Sequence, residues 1–372
     1  MPSRVTFLDI SLILIILIAI PTLGHTTSGM PDSPKFGFGA RVDLNGKQLT
    51  PSITAAAGLG LDWIAIDFDW ARRWPDGKAP MSIDDLTQTI NIIQQNKLNL
   101  LLSITNVPSW AITPSGPNPS VVANLAVSLA RQYPESLKAI ELFPAANTRR
   151  GWGATPDPIA YHSLLKITND ALQADGRSVI VIPSITPLVE DQSSTDINDI
   201  TYLDALYNVS QVTSMPIIGL QLPVVTGEPM SPAQKGEHRV LRHFEEIRQV
   251  MLRHNHRSGL IWITEFSWPD GTIDVSDAVY KSPEKQAHWL GQAYQLLKAQ
   301  LYIGAAFFNQ LNPSDLTSSA HNPPSLISMD LKLHPALVRL SQLISPETHK
   351  AYTIDLNQEI YQKLNFNRMV YP

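Results

Sequence analysis

The chain has 372 residues, more than most single domains but within the range of one large α/β domain with long loops. Hydrophobic residues make up 44% and support a full core, whereas charged residues make up only 16%, below the ~25% typical of soluble domains. The net charge is −5 and no basic run exceeds two residues, so nucleic-acid binding is not expected. The absence of cysteine excludes disulfides and thiolate metal sites, and nothing in the composition indicates a metal or another cofactor.

The N-terminus has the character of an export signal. Arg4 precedes an apolar run at residues 10–20, which ends before Pro21 and is too short for a comfortable membrane span of ~20 residues. We expect residues 1–23 to be a signal peptide or an N-terminal membrane anchor, and the small-residue pattern near residues 23–29 is too poor to decide whether it is cleaved. Residues 24–35 form a linker. The protein is then secreted or anchored on the outer face of the cytoplasmic membrane, with membrane contact only through this segment.

Apolar runs of strand length alternate with helix-like stretches from residue 36 to about residue 345. Most of these runs are continuous, as expected for parallel strands that are buried on both faces. The sequence predicts eight strands, at residues 36–40, 63–70, 99–105, 139–144, 179–185, 219–224, 261–266 and 304–310.

Several predicted helices begin with a capping residue that is followed by proline. These pairs are Thr50-Pro51, Asn118-Pro119, Asp157-Pro158, Ser231-Pro232 and Ser282-Pro283, and further helices are predicted at 84–95, 200–208 and 334–344. Strands that alternate with helices eight times predict a (β/α)8 TIM barrel of the α/β class over residues 36–345. Residues 346–372 form a C-terminal extension with no predicted role.

Two strand motifs carry a resemblance to a known superfamily. Ile261-Trp-Ile-Thr-Glu-Phe-Ser-Trp268 resembles the nucleophile strand of retaining glycoside hydrolases of clan A, and Glu265 falls on the nucleophile position. Ala139-Ile-Glu-Leu-Phe-Pro-Ala-Ala-Asn147 resembles the partner strand, which in the family reads Ile-Glu-Ile-Trp-Asn-Glu-Pro-Asn. The family's acid/base glutamate falls on Ala145 and the asparagine before it falls on Pro144. The Pro108-Ser-Trp-Ala111 turn and the segment from Ser325 to Pro335 also resemble the family.

The loss at Ala145 bears directly on chemistry. Glycosidic cleavage by this route needs two carboxyl groups, one that attacks the anomeric carbon and one that protonates the leaving oxygen. A positioned general acid is worth about 10²–10⁴ in rate. The resemblance therefore implies an impaired site. A further departure is the sixth strand, Leu220-Gln-Leu-Pro-Val224, which lacks the tyrosine or histidine that often holds the nucleophile.

The sequence offers one substitute for the missing acid and three further strand carboxylates. Glu228, in the turn Thr226-Gly-Glu-Pro229, is the best substitute acid because its loop borders the same face of the barrel, although a plain turn residue before proline is the simpler interpretation. Glu141 is expected to make an internal hydrogen bond. Asp67 and Asp69 lie on opposite faces of their strand, so only one of them points inward.

Barrels of this type place their active site at the carboxyl ends of the strands. The resemblance assigns sugar contacts there to six residues, and for the tryptophans the alternative is that they pack loops over the barrel mouth. The residues are Trp70, Trp110, Asn147, Trp152, Trp268 and Asn309. Histidines at 238, 243, 254 and 256 are expected to form a solvated basic helix face, and no metal site is predicted.

Three functions remain open. The first is an exported glycoside hydrolase-like protein that is catalytically impaired and at most binds an oligo- or polysaccharide. The second is an active retaining glycosidase with Glu265 as nucleophile and Glu228 as acid. The third is a surface scaffold without a sugar ligand.

Overall fold

The computed structural model of the protein describes residues 36–188, 195–209, 215–223, 225–232, 239–268, 282–314 and 325–344. The chain divides into the units Met1–Pro31 and Asp32–Pro372, and all described residues belong to the second. The predicted export segment, linker and C-terminal extension lie outside the described residues. No helix within the described ranges is both long and apolar enough to span a membrane.

Eight parallel strands close into a barrel, which confirms the predicted fold. Each strand pairs with its neighbours in the chain, and the first pairs with the last, so the order around the ring is β1-β8-β7-β6-β5-β4-β3-β2. The strands are β1 Gly37–Val42, β2 Trp63–Asp69, β3 Asn99–Thr105, β4 Leu137–Leu142, β5 Ile180–Ile185, β6 Ile217–Leu222, β7 Leu260–Phe266 and β8 Ile303–Phe308. Two predicted strand ends are wrong: β1 continues past residue 40 to Val42, and β4 ends at Leu142, before Pro144.

Helices follow the strands as predicted. The described helices are α1 Leu49–Gly58, α2 Trp70–Arg73, α3 Asp84–Gln95, α4 Pro119–Gln132, α5 Arg149–Trp152, α6 Pro158–Ala174, α7 Asp199–Val209, α8 Phe244–Arg253, α9 Pro283–Lys298 and α10 Pro335–Ile344. The side chains of Asn118, Asp157 and Ser282 accept backbone N–H bonds at the first turns of α4, α6 and α9, which confirms these three starts.

Two predicted helix starts are wrong. Thr50 lies inside α1, whose cap position is taken by Gln48 in the left-handed region with a φ of 56°. Ser231 instead closes a turn by donating its N–H to the carbonyl of Glu228 at 3.0 Å. The helix expected there is α8, which begins at Phe244. In both places a proline marked the loop or first turn, but tertiary contacts set where the helix begins.

Strand alternation separates two apolar regions. Outward side chains such as Ile64 and Ile66 pack in the layer between the barrel and the helices. Inward side chains fill the lower half of the barrel, where they form a separate cluster of Ala65, Leu101, Ala139, Ile182, Ile217, Trp262, Ala305 and Phe307. Burial of a large apolar side chain is worth about 1.5–3 kcal/mol, so this cluster makes the barrel a packed core with no room for a ligand at this level.

We predict that Gly116→Ala destabilises the fold more than Gly176→Ala. Both glycines have positive φ, +121° and +70°, so both substitutions strain the backbone. A Cβ at Gly116 would lie 2.2 Å from Cε2 of the buried Trp152, whereas a Cβ at Gly176 has no neighbour within 4 Å. We expect the overlap, together with a φ at Gly116 that is less favourable for alanine than that at Gly176, to lower the free energy of unfolding by about 1–3 kcal/mol beyond the loss in Gly176→Ala. Denaturant unfolding of both variants measures this, and equal losses would contradict the packing described here.

Candidate active site at the barrel mouth

Polar side chains replace the apolar ones at the carboxyl ends of the strands. In five strands the polar residue lies two positions after a residue of the inward cluster, such as Asp67 after Ala65 or Glu141 after Ala139, and so faces the barrel interior. We call this set the polar layer, and each strand or its first following residue supplies one member. The members are Arg41, Asp67, Ser103, Glu141, Ser184, Gln221, Glu265 and Asn309.

Glu265 reaches the polar layer because of a β-bulge in β7. Trp262 points into the barrel, so regular alternation would turn Thr264 inward and Glu265 outward toward the helices. The pairing with β6 shifts by one residue at this point, and Glu265 lies opposite Gln221. Phe266 then belongs to the outer apolar layer. A bulge re-aims the side chains that follow it, and bulges are common at barrel rims and beside active sites.

Arg41 occupies the centre of the polar layer. It is 4% exposed, and its Nη1 donates to the carbonyl of Thr264, the bulged residue, at 2.8 Å. Its Nη2 donates to Asp67 and to the Ser103 hydroxyl, the latter at 3.2 Å. One guanidinium therefore joins β1, β2, β3 and β7.

Three carboxylates surround this cation. Asp67 contacts it directly, while Glu141 Oε2 lies 4.0 Å from Nη1 and Glu265 Oε2 lies 4.0 Å from Nε. Burial by itself would lower the pKa of Arg41, but the charges of the three carboxylates outweigh it and raise that pKa. Ser103 Oγ donates to Glu141 Oε2 at 2.5 Å, the internal hydrogen bond that the sequence predicted.

Two amides hold the carboxylate of Glu265. Gln221 Nε2 donates to Oε2 at 2.8 Å, and Asn309 Nδ2 donates to Oε1 at 2.8 Å. Burial raises the pKa of Glu265, with Arg41 and the Gln221 bond opposing the rise and the neighbouring carboxylates adding to it. The side chain is thus fixed in one orientation at the mouth, as a nucleophile at this position requires.

The turn after β4 is the counterpart of this strand end. Phe143 and Ala145 have φ values of 56° and 63°, in the left-handed region that residues other than glycine rarely adopt. Both the N–H and the hydroxyl of Thr148 donate to the carbonyl of Ala145 at 2.9 Å. The chain therefore reverses in a tight, hydrogen-bonded turn, and Ala145 brings no carboxyl group to the mouth.

Asn147, one of the predicted sugar contacts, uses its side chain in internal hydrogen bonds in this structure. It is fully buried, and its Nδ2 donates to the carbonyls of Thr186 and Ile197 at 2.9 Å. Its Oδ1 accepts the N–H of Thr186 at 2.9 Å. The side chain thereby fastens the turn after β4 to the segment after β5.

Most of the predicted sugar-stacking tryptophans are buried. Trp70, Trp152 and Trp268 are 0%, 0% and 2% exposed, so the packing alternative describes them in this structure. Trp110 is only half-buried; its Nε1 donates to the carbonyl of Trp74 at 2.9 Å. Trp110 therefore keeps part of its surface open, and stacking by the other three requires that they be uncovered.

Glu228 is exposed in the turn that Ser231 closes. Its loop lies beside the residues that follow β7, because Trp268 Nε1 donates to the carbonyl of Gly227 at 3.1 Å. The N–H of Val225 also donates to the carbonyl of Ser267 at 2.7 Å. The loop therefore borders the Glu265 strand end, and the catalytic use of Glu228 stays a prediction.

The expected solvated histidine face is wrong for two of its members. His243 is fully buried with Nε2 2.5 Å from Asp199 Oδ2, and His256 is 2% exposed with Nδ1 2.7 Å from the Tyr207 hydroxyl. Burial, with the charge of Arg248, lowers the pKa of His256. These histidines pack near α7, and His238 lies outside the described residues. Within the described ranges no cluster of three His, Asp or Glu side chains is placed to hold a metal.

Sequence reasoning missed Arg41 as the centre of the site. The available signal was a charged residue at the end of an otherwise apolar first strand, Gly37-Phe-Gly-Ala-Arg-Val42. The sixth strand lacks a tyrosine or histidine, and sequence reasoning did not recognise Gln221 as a partner of Glu265. In the structure Gln221 donates a hydrogen bond to that carboxylate.

We predict that Glu265→Gln stabilises the protein at high pH but not at low pH. Below the ordinary glutamate pKa of about 4.3 the group is neutral in both the folded and unfolded states, so the substitution changes little. Burial raises the pKa of Glu265 in the folded state, so the free energy of unfolding falls as pH rises from the ordinary pKa through the raised one. Glutamine does not ionise and therefore removes this fall. Thermal unfolding at about pH 4 and pH 8 measures the difference.

A matched control is Glu284→Gln, since the Ser282 hydrogen bond lowers the pKa of this exposed carboxylate. There the substitution should reduce stability as pH rises. A Glu265→Gln protein that is less stable than the native one at pH 8 would contradict the burial argument.

Comparison with known proteins places the fold. No family model and no curated protein matches the chain. Among solved structures, a family 39 glycoside hydrolase from Bacteroides cellulosilyticus has a TM-score of 0.59 at 13% identity, over 84% of this chain and 63% of its own. A GH5_18 glycoside hydrolase from Streptomyces cattleya has a TM-score of 0.59 at 13% identity, over 83% of this chain and 80% of its own. A β-glycosidase has a TM-score of 0.52 at 12% identity, over 83% and 86%.

These similarities concern the fold. The chain spans less than two thirds of the family 39 enzyme's length. The Streptomyces structure is of a variant with one glutamate replaced by alanine, in complex with Manβ1-4GlcNAc. This chain is a closed (β/α)8 barrel whose fold is similar to that of these glycoside hydrolases.

Proposed function

We propose that the protein binds carbohydrate at the barrel mouth and has lost ordinary glycosidase activity. The observation that carries this proposal is the asymmetry of the mouth. Glu265 is aligned by two amides at 2.8 Å, as a retained nucleophile would be. The turn after β4, where the resemblance expects the acid, offers only the methyl group of Ala145.

The conformation of the turn after β4 indicates that more than the single change at Ala145 separates this turn from one that carries a general acid. Ala145 itself lies at a φ of 63°, a conformation that costs about 1–2 kcal/mol for residues other than glycine, so the turn is held in this shape by its surroundings. Pro144 fixes its own φ and donates no backbone hydrogen bond. A Cβ at Gly151 would lie 2.2 Å from the Ala145 carbonyl oxygen, so α5 packs directly on the turn. The turn has little freedom to present a carboxyl group.

A binding role fits the groups that remain. Asp67, Gln221 and Asn309 are all partly exposed and offer carboxylate and amide groups at one place. Ligand sites typically combine a few convergent polar groups of this kind with a largely apolar surround. The alanine-variant relative that holds Manβ1-4GlcNAc is a precedent for sugar binding on this fold without one glutamate.

A second candidate is an active retaining enzyme that uses Glu228 as its acid. The observation that favours it is the pair of contacts, Gly227 with Trp268 and Val225 with Ser267, that hold the Glu228 loop beside the Glu265 strand end. Against it, the side chain is exposed in a turn and has no described contact that aims it at the mouth.

We predict no turnover of unactivated glycosides by the native protein. Without a general acid the rate falls by about 10²–10⁴, unless the leaving group departs without protonation. Trace hydrolysis of 2,4-dinitrophenyl glycosides should therefore be detectable, vanish in Glu265→Ala and rise with azide, which replaces the missing base. Steady-state release of dinitrophenol is the measurement.

Two variants separate loss from replacement. Pro144→Asn with Ala145→Glu should restore more hydrolysis than Ala145→Glu alone, because the proline also constrains the turn. Strong native hydrolysis of natural oligosaccharides that Glu228→Ala abolishes would overturn the proposal in favour of the active enzyme. No thermal shift with any glycan would overturn it in favour of a scaffold without a sugar ligand.

We further propose that the barrel acts outside the cytoplasm. The support is the apolar run at residues 10–20 after Arg4. Cell fractionation with N-terminal sequencing should find either a shortened soluble chain or a membrane-attached chain that keeps Met1. Recovery of the full chain from the cytosol would contradict both forms of export.

A further inference from the structure

The exposed part of the polar layer is acidic. Asp67 has 61% of its side chain exposed and Glu265 has 11%, while Arg41 has 4% and Glu141 has none. The layer thus holds three carboxylates and one cation, and the cation lies beneath the two carboxylates that reach solvent. A ligand that enters the mouth meets negative charge first.

The positive charge of Arg41 is also unavailable for hydrogen bonding. Nη1 donates to the Thr264 carbonyl, Nη2 donates to Asp67 and Ser103, and Nε faces Glu265. Each guanidinium nitrogen is directed at a protein oxygen. A carboxylate or sulfate on a ligand therefore finds no free cation in this layer.

An independent observation is that two buried polar atoms of the layer are unpaired, one of them a carboxylate oxygen that can only accept a hydrogen bond. Glu141 Oε1 and Ser184 Oγ are both buried, and neither has a hydrogen-bond partner. Both residues lie on the inward face of adjacent strands, β4 and β5, within the polar layer. Buried polar atoms are nearly always paired, so this side of the mouth has hydrogen-bonding capacity that protein groups do not use.

We propose that the mouth selects its glycan by charge and prefers sugar units with a free amino group. A sugar ammonium is a cation with three donors and no acceptor, which matches a site of unsatisfied acceptors and excess negative charge. An N-acetyl group removes that charge, and a uronate reverses it. This inference rests on the proposed carbohydrate binding and specifies its substrate class.

Arg149 and Arg150 of α5 are the basic residues that follow β4 in the chain. Both are exposed, so solvent and salt screen them strongly. The charges of the polar layer are mostly buried and screened much less. Selection is therefore expected to follow the carboxylates of the layer.

Titration calorimetry with the full chain tests the preference. The probes are glucosamine oligomers, N-acetylglucosamine oligomers of equal length and galacturonate oligomers, at a pH where the amine is protonated. We expect the glucosamine oligomers to bind about fivefold more tightly than their acetylated counterparts, the factor that corresponds to about 1 kcal/mol for one partly exposed ion pair. The difference should shrink at high salt.

Asp67→Asn should remove this preference, measured as the ratio of the affinities for glucosamine and N-acetylglucosamine oligomers, whatever its effect on the affinity for both. The matched control is Asp170→Asn, since Asp170 pairs with Lys166 on α6 and is 58% exposed there. If Asp67→Asn does not fold, the ranking of the three ligands by the native protein still decides the matter. Equal binding of acetylated and free-amine oligomers, or tighter binding of galacturonate, overturns charge selection but leaves carbohydrate binding standing. Binding of no oligomer overturns both.

Discussion

The buried guanidinium of Arg41 is the interaction on which the barrel mouth depends. Two of its carboxylate neighbours are almost removed from water, and a buried charge is costly unless it is paired and hydrogen-bonded. Arg41 offsets that cost for Asp67, Glu141 and Glu265 together. Loss of the cation would leave three carboxylates around one site, and removal of one partner from a buried ionic group typically costs about 3–5 kcal/mol.

The same cation couples the fold to the chemistry of the site. Its bond to the carbonyl of Thr264 lies at the bulge that turns Glu265 inward. Without the bulge, regular alternation would turn Glu265 toward the helices and away from the amides of Gln221 and Asn309. The bulge, Arg41, Gln221 and Asn309 therefore act together to hold one carboxylate at the mouth. This degree of positioning is expected of a functional group, since a carboxylate without a role is rarely buried.

The turn after β4, on the other side of the mouth, presents no carboxyl group. The turn after β4 uses its polar groups internally: Thr148 bonds to Ala145, and Asn147 bonds to Thr186 and Ile197. These bonds stabilise the connection between two strands at the place where the resemblance expects catalysis. One aligned carboxylate and an acid-free turn are the features on which the proposed binding role rests. The excess of carboxylates over cations in the polar layer is the basis of the proposed preference for a cationic sugar.

The sequence by itself determined the barrel and the location of its functional end. Continuous apolar runs and caps such as Asn118 and Asp157 are local signals, because strand burial and helix starts depend on residues close in the chain. The motif around Glu265 likewise singled out the carboxylate that two amides hold at the barrel mouth. Tertiary structure alone decided which charges meet: Arg41 gathers side chains from strands up to 224 positions away, and no local pattern records that convergence. It also decided that Trp70, Trp152 and Trp268 are buried, since a tryptophan at a strand end faces a ligand or packs a loop according to what the other loops place over it.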